Sequence, residues 1–92
     1  MKLNKRTATP EEAADKMLKF AHSYVTKMQN AFESPESMRI YYKDASDFCG
    51  IAELIAKSDF KKAVKTAYDM DTCPRDEIPQ DVWDYITHHS RV

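Results

Sequence analysis

Asp44 and Asp47 stand one helical turn apart in a stretch with helical periodicity. At that spacing two carboxylates can divide acid and base work between them, and they are the residues a small enzyme of this sequence would use. The same spacing is also the ordinary pattern of a solvated helix face. Nucleophilic chemistry would need an activated Cys, Ser or Lys beside a base. Cys73 precedes a proline in an acidic loop, which holds a thiol protonated rather than ionised. Cys49 falls on the apolar side of a helix and is expected to be buried. His22 falls on the polar side of the first helix, with no partner at a useful spacing. No residue is therefore assigned a catalytic role.

Metal ligands fare no better. Asp69, Asp71 and Cys73 alternate like the start of an EF-hand loop, but Pro74 stands where that loop needs glycine and Gln80 where it needs the bidentate acid. His88 and His89 are adjacent and point in different directions on a helix. Two cysteines far apart in the chain form neither a disulfide framework nor a zinc spacing. No metal and no cofactor is expected.

What remains is charge, unevenly placed. Lys57, Lys61, Lys62 and Lys65 form a basic stretch, three of them at i, i+4, i+8. Asp69, Asp71, Asp76, Glu77, Asp81 and Asp84 make the C-terminal third acidic, with Arg75 as its relief. Trp83 and Tyr85 lie among these acids and could anchor an interface. The candidate partner-binding residues are Lys57, Lys61, Lys62 and Lys65 on one side and Asp76, Asp81, Asp84 and Trp83 on the other. The lysines rank first, because a helix holds them in a row while much of the acidic stretch reads as loop.

The elements that would carry these groups are helices. Thr9-Pro10-Glu11-Glu12 combines an N-cap, a proline at the first helical position and a capping-box glutamate. Ala14, Met17, Leu18, Ala21, Tyr24, Val25, Met28, Ala31 and Phe32 then repeat at three-four spacing. Ser34-Pro35-Glu36 starts a second long helix, to about Lys57, and the short connection implies an antiparallel hairpin. Met38, Tyr41, Ala45, Phe48, Ala52 and Ile55 line one of its faces; Ile40, Ile51 and Leu54 lie opposite, the pattern of a central helix. Asp59 to about Met70 reads as a third helix with Phe60, Ala63, Val64, Ala67 and Tyr68 as its stripe. Asp71 to Ile78 reads as loop. A short helix from near Pro79 is anchored by Val82, Trp83 and Ile86, and residues 88–92 read as a frayed end.

The expectation is thus an all-α, compact bundle of about four helices: a flexible basic arm over 1–8 and one helical domain over 9–92. Its predicted core is Met17, Leu18, Ala21, Tyr24, Val25, Met28, Phe32, Tyr41, Ala45, Phe48, Ala52, Ile55, Phe60, Val64 and Trp83. Composition agrees. The 92 residues suffice for one domain, and a single glycine, Gly50, argues against phosphate loops and tight hairpins. The net charge of −1 does not suit a general phosphate-backbone binder. No apolar run approaches the roughly 20 residues that span a bilayer, and no secretory leader is evident, so a cytoplasmic, non-membrane protein is expected.

Two resemblances bear on function. Asp59-Phe60-Lys61-Lys62-Ala63-Val64, with Ala67 and Pro74, resembles the second helix of a tetratricopeptide unit, as one partial copy. Asp76-Glu77-Ile78-Pro79-Gln80-Asp81-Val82-Trp83-Asp84-Tyr85-Ile86 resembles the ending of the Hha/YmoA family of nucleoid modulators. Tyr42, Ala45, Asp47 and Ala52-Glu53-Leu54 are similar to that family's long helix. The chain departs from the family in its longer intervening segment and in the acids Asp81 and Asp84. The resemblance implies a helical protein that acts by binding a DNA-coating silencer. By elimination, the preferred expectation is a non-enzymatic interaction protein. It would be a phage- or mobile-element-type inhibitor or modulator, anti-CRISPR-like, bound to a larger host protein or nucleoprotein complex without sequence-specific reading of nucleic acid. The Hha-like co-regulator and the small enzyme using Asp44 and Asp47 are the alternatives.

Overall fold

The helices begin where their capping residues dictate. The computed structural model describes residues 2–30 and 34–91, without the side chains of Met28 and Cys73. Helix α1 spans Pro10–Asn30. The Thr9 hydroxyl accepts the Glu12 N–H at 3.2 Å, which caps the helix, and donates to the Glu12 carboxylate at 3.2 Å. Helix α2 spans Pro35–Ala56, with Ser34 Oγ accepting the Ser37 N–H at 3.4 Å. Helix α3 spans Phe60–Asp69, capped by Asp59 through the Lys62 N–H at 3.3 Å. A short α4, Thr72–Asp76, and then α5, Gln80–Ser90, complete the chain. Among the described residues there is no strand, and the architecture is an all-α bundle. No described helix is long and apolar enough to cross a membrane.

Two boundaries differ from the sequence reading. The segment from Asp71 to Ile78 is not all loop, because Pro74 sits in the first turn of α4, where its missing N–H is not needed. The C-terminal end is helical to Ser90 rather than frayed from His88. His89 is held there by the Tyr85 ring at 4.3 Å, the Phe60 ring at 5.2 Å and the Lys5 carbonyl, 2.9 Å from Nε2.

Helices α1 and α2 form the antiparallel hairpin, and its interior is aromatic. Phe20 meets Phe48 edge-on at 4.8 Å, and Tyr24 lies 5.0 Å from Phe48 and 6.0 Å from Tyr41. Such ring pairs contribute about 0.5–1.5 kcal/mol beyond the area they bury. Phe20, not among the expected core, is half-buried here. Leu18, expected in the core, is 39 % exposed. The buried stripe runs Ala13, Met17, Ala21, Tyr24, and Leu18 lies about 100° around the helix from Met17. It faces an open depression with Ala14, Cys49, Ala52 and Ala56. The expected core positions Phe32 and Met28, and Ala31 of the same stripe, lie outside the described residues or side chains.

Helix α2 is central, as its two apolar faces imply. Ile51 is fully buried on the second face and Leu54 half-buried, while Ile40 is 58 % exposed. The reason is length. Helix α3 has 10 residues, about 15 Å, and folds back over only the C-terminal half of α2. Helix α5 closes the bundle against α3 and α1, burying Val82, Tyr85 and Ile86. Val25, Tyr41, Phe60, Val64 and Trp83 of the expected core are half-buried at its margin. Tyr68, assigned to the α3 stripe, points outward and is 59 % exposed.

The turn between α2 and α3 is a Schellman closure. Lys57 is the C-cap, Ser58 takes a left-handed φ of 61°, and the N–H groups of Ser58 and Asp59 bond to the carbonyls of Ile55 and Leu54, each at 2.9 Å. Residues 2–8, the basic arm of the sequence reading, lie along α5. The Leu3 N–H donates to Asp81 at 2.8 Å, and the Tyr85 hydroxyl donates to the Ala8 carbonyl at 3.0 Å.

Candidate interaction surface

The left-handed residue at Ser58 changes the lysine row. Lys57 belongs to the end of α2, not to α3, and its Nζ is 2.9 Å from Glu53 Oε1 in an exposed i,i+4 pair. That hydrogen bond and charge hold the Glu53 carboxyl below its ordinary value. The aligned lysines are therefore Lys61 and Lys65, one turn apart on α3 and both exposed, with exposed Lys62 beside them.

Their row continues into aromatic surface. Tyr68 lies seven residues after Lys61 and three after Lys65, on the same face of α3. Its ring carries the Arg75 guanidinium at 5.2 Å, and Arg75 Nη1 reaches the Tyr68 carbonyl at 3.5 Å. Trp83 of α5 meets Tyr68 edge-on, 5.5 Å between centroids and 79° between planes. Tyr68, Arg75 and Trp83 line a depression of about 440 Å³ together with Asp76, Ile78 and Gln80. Sequence reasoning missed Tyr68 and Arg75 as members of this surface. The signal was the i+3 and i+7 relation of Tyr68 to the lysines, which placed it outside the buried stripe.

The acidic candidates separate. Asp76 is exposed at the depression, and half-buried Asp84 accepts from Gln80 Nε2 at 2.8 Å. Asp81 is a correction: it is 7 % exposed and is spent inside the protein, where it accepts from Lys16 Nζ, from the Leu3 N–H and from the Val82 N–H at 3.0 Å. Burial works to raise its carboxyl, but the Lys16 and Leu3 hydrogen bonds and the Lys16 charge prevail and hold it below the usual aspartate value. Tyr85, considered as an anchor for partners, is likewise interior. Burial, with Glu11 and Glu12 adding to it, raises its phenol.

A second group of acids gathers where α2 passes Tyr24. The Tyr24 hydroxyl donates to Glu77, and Lys27 Nζ lies 3.3 Å from the same carboxylate. Glu77 is held low by the Tyr24 hydrogen bond first, against burial, and by Lys27. Tyr24 is raised strongly by burial and by that bond to an anion. Asp44, read from the sequence as part of a solvated face, is only 8 % exposed. Burial raises its carboxyl above the ordinary value; Asp47, Asp71 and Glu77 push the same way, and Lys43 alone opposes. Asp47 is half-exposed. Cys49 is a half-buried free thiol, His22 is exposed, and the Cys73 side chain lies outside the described set. Among the described residues no three His, Cys, Asp or Glu side chains converge as a metal site. Comparison with protein-family models, curated proteins and solved structures gives no match for this chain.

Proposed function

We propose that this chain is a non-enzymatic interaction protein, an inhibitor or modulator of the mobile-element type, that docks on an acidic surface of a larger protein or nucleoprotein complex. The observation that supports this reading is the α3–α5 strip. Two aligned lysines run into an exposed tyrosine, which is flanked by an arginine over its ring and a tryptophan at its edge. Tyr, Trp and Arg are the residues that dominate binding energy at interfaces. The lysines add long-range attraction to an anionic partner and salt dependence to the association. Neither Lys61 nor Lys65 holds a described ion pair, so both charges stand ready for a partner.

The test is affinity purification from the native host with the wild-type chain and with Lys61→Glu/Lys65→Glu, alongside circular dichroism. The double variant is expected to keep its helical spectrum and lose the copurifying partner. Retention of the partner by a folded double variant would refute the assignment of this strip. The nature of the partner then separates two modes of action: a ribonucleoprotein effector means inhibition, whereas a DNA-coating protein means co-regulation.

A further inference from the structure

We infer that Asp44 on α2, with Asp47 one turn on, is a receptor for a cationic side chain, the guanidinium of an arginine presented by a partner protein. Asp44 is more than nine-tenths buried, yet among the described residues it has no hydrogen-bond or ion-pair partner. Its oxygens also keep some contact with the surface, since no fully enclosed side-chain oxygen is left without a partner. The other buried carboxylate, Asp81, is satisfied by Lys16 and Leu3, and even the exposed Glu77 is engaged by Tyr24 and Lys27. A carboxylate taken from water and left unpaired costs the fold free energy. Here the cost is increased, because the negative charges of Asp47, Asp71 and Glu77 act on Asp44 and only its exposed chain neighbour Lys43 opposes them.

The surroundings fit an arginine better than a bare metal ion. Hard cations require several converging oxygens, and no such triad exists among the described residues. A guanidinium needs less: its planar fork can bridge two carboxylates one helical turn apart, which is the spacing of Asp44 and Asp47. Ile40 lies one turn before Asp44 on the same face and is exposed because α3 stops short of it. It offers an apolar lip for the arginine stem. This site is separate from the lysine and aromatic strip, carries the opposite charge, and can be tested without knowing the natural partner.

The experiment follows the Asp44 carboxyl carbon by NMR during acid titration of the full chain, with and without a tetra-arginine peptide. A tetra-citrulline peptide serves as the uncharged control. With the arginine peptide the Asp44 midpoint is expected to fall by about one pH unit, as an opposite charge at contact distance produces. With citrulline it stays in place, and the Ile40 amide shifts saturably only with arginine. Asp44→Asn should abolish that saturable shift and raise the urea midpoint, because an unpaired buried charge has been removed. Lys61→Glu/Lys65→Glu should leave it unchanged, so failure here and failure of the α3–α5 strip are read independently. The inference is overturned if Asp44 does not move while exposed acids such as Asp15 and Glu53 do, or if Asp44→Asn destabilises the fold.

Discussion

Replacing Asp81 by Asn probes the joint that ties the N-terminal segment to α5. The carboxylate accepts a charge-assisted bond from Lys16 and one from the Leu3 N–H at 2.8 Å through Oδ2, and one from the Val82 N–H at 3.0 Å through Oδ1. Bonds to a charged group contribute about 1.5–3 kcal/mol each, and a neutral bond about 1 kcal/mol. An asparagine oxygen in the place of Oδ2 can still accept from Leu3 and Lys16, so the loss falls mainly on the charge that strengthens the Lys16 bond, while the amide NH2 then faces the Val82 N–H. The Lys16 side chain is 32 % exposed, so water recovers part of that loss. The net destabilisation should be about 2 kcal/mol, near the centre of the range for such bonds. In a domain of this size it should lower the melting temperature by roughly 10 °C. Urea unfolding followed by far-ultraviolet circular dichroism measures it, and a double-mutant cycle with Lys16→Gln isolates the pairwise part. The pH dependence adds a second reading. Because the folded-state carboxyl lies below its ordinary value of 3.8, its contribution is fully present above that value and is lost as pH falls through the folded one. The variant should therefore show a flatter decline in stability below pH 4. A variant within about 0.5 kcal/mol of wild type, the scatter of inert surface changes, would mean that the joint is energetically silent and the reasoning fails.

Ser58→Gly should stabilise the chain by about 0.5–1 kcal/mol. A left-handed non-glycine residue costs roughly 1–2 kcal/mol, and the added freedom of glycine in the unfolded chain returns about 0.5–1 kcal/mol of that gain; a lowered urea midpoint would contradict it. Thr9→Ala and Ser34→Ala should each destabilise by about 0.5–2 kcal/mol. Thr9 should be the more costly, because its cap bond is the shorter and its hydroxyl donates to the Glu12 carboxylate, whereas that of Ser34 meets only the neutral Ser37 hydroxyl; unchanged midpoints in both would exclude these caps as the source of the helix starts.

Helix starts were legible because they are local. Thr9-Pro10, Ser34-Pro35 and Asp59 each declare an N-terminus through a side chain and a backbone group three residues on, and the structure uses all three. The periodicity of α1 and α2 likewise identified a hairpin with a central second helix. What escaped depends on distant partners or on a single dihedral angle. The lysine row looked continuous because counting by fours from Lys57 takes no account of a left-handed Ser58. Asp81 looked exposed because its cation, Lys16, lies on α1 and its amide donor, Leu3, in the segment before it. Asp44 looked solvated because an i,i+3 pair of acids has the same spacing whether or not the fold buries one of them. Ile40 matched Ile51 in pattern, and only the length of α3 distinguishes the covered residue from the bare one.

The ties between residues 3–8 and α5 also shape how the chain comes to be ordered. Leu3 with Asp81, Ala8 with Tyr85 and Lys5 with His89 are contacts between residues far apart in sequence, each closing a loop that contains α1 to α4. Closing so long a loop is entropically expensive, though the cost grows only logarithmically with length. The α1–α2 hairpin needs no such closure and can form from neighbouring segments. On a ribosome it would emerge first, with the surface meant for α5 still wet. Tyr85 and Ile86 supply the apolar cover only after α1 to α4 have been made. Helix α5 thus acts as a clasp: its arrival converts a hairpin into a closed bundle and fixes residues 3–8 in the same step.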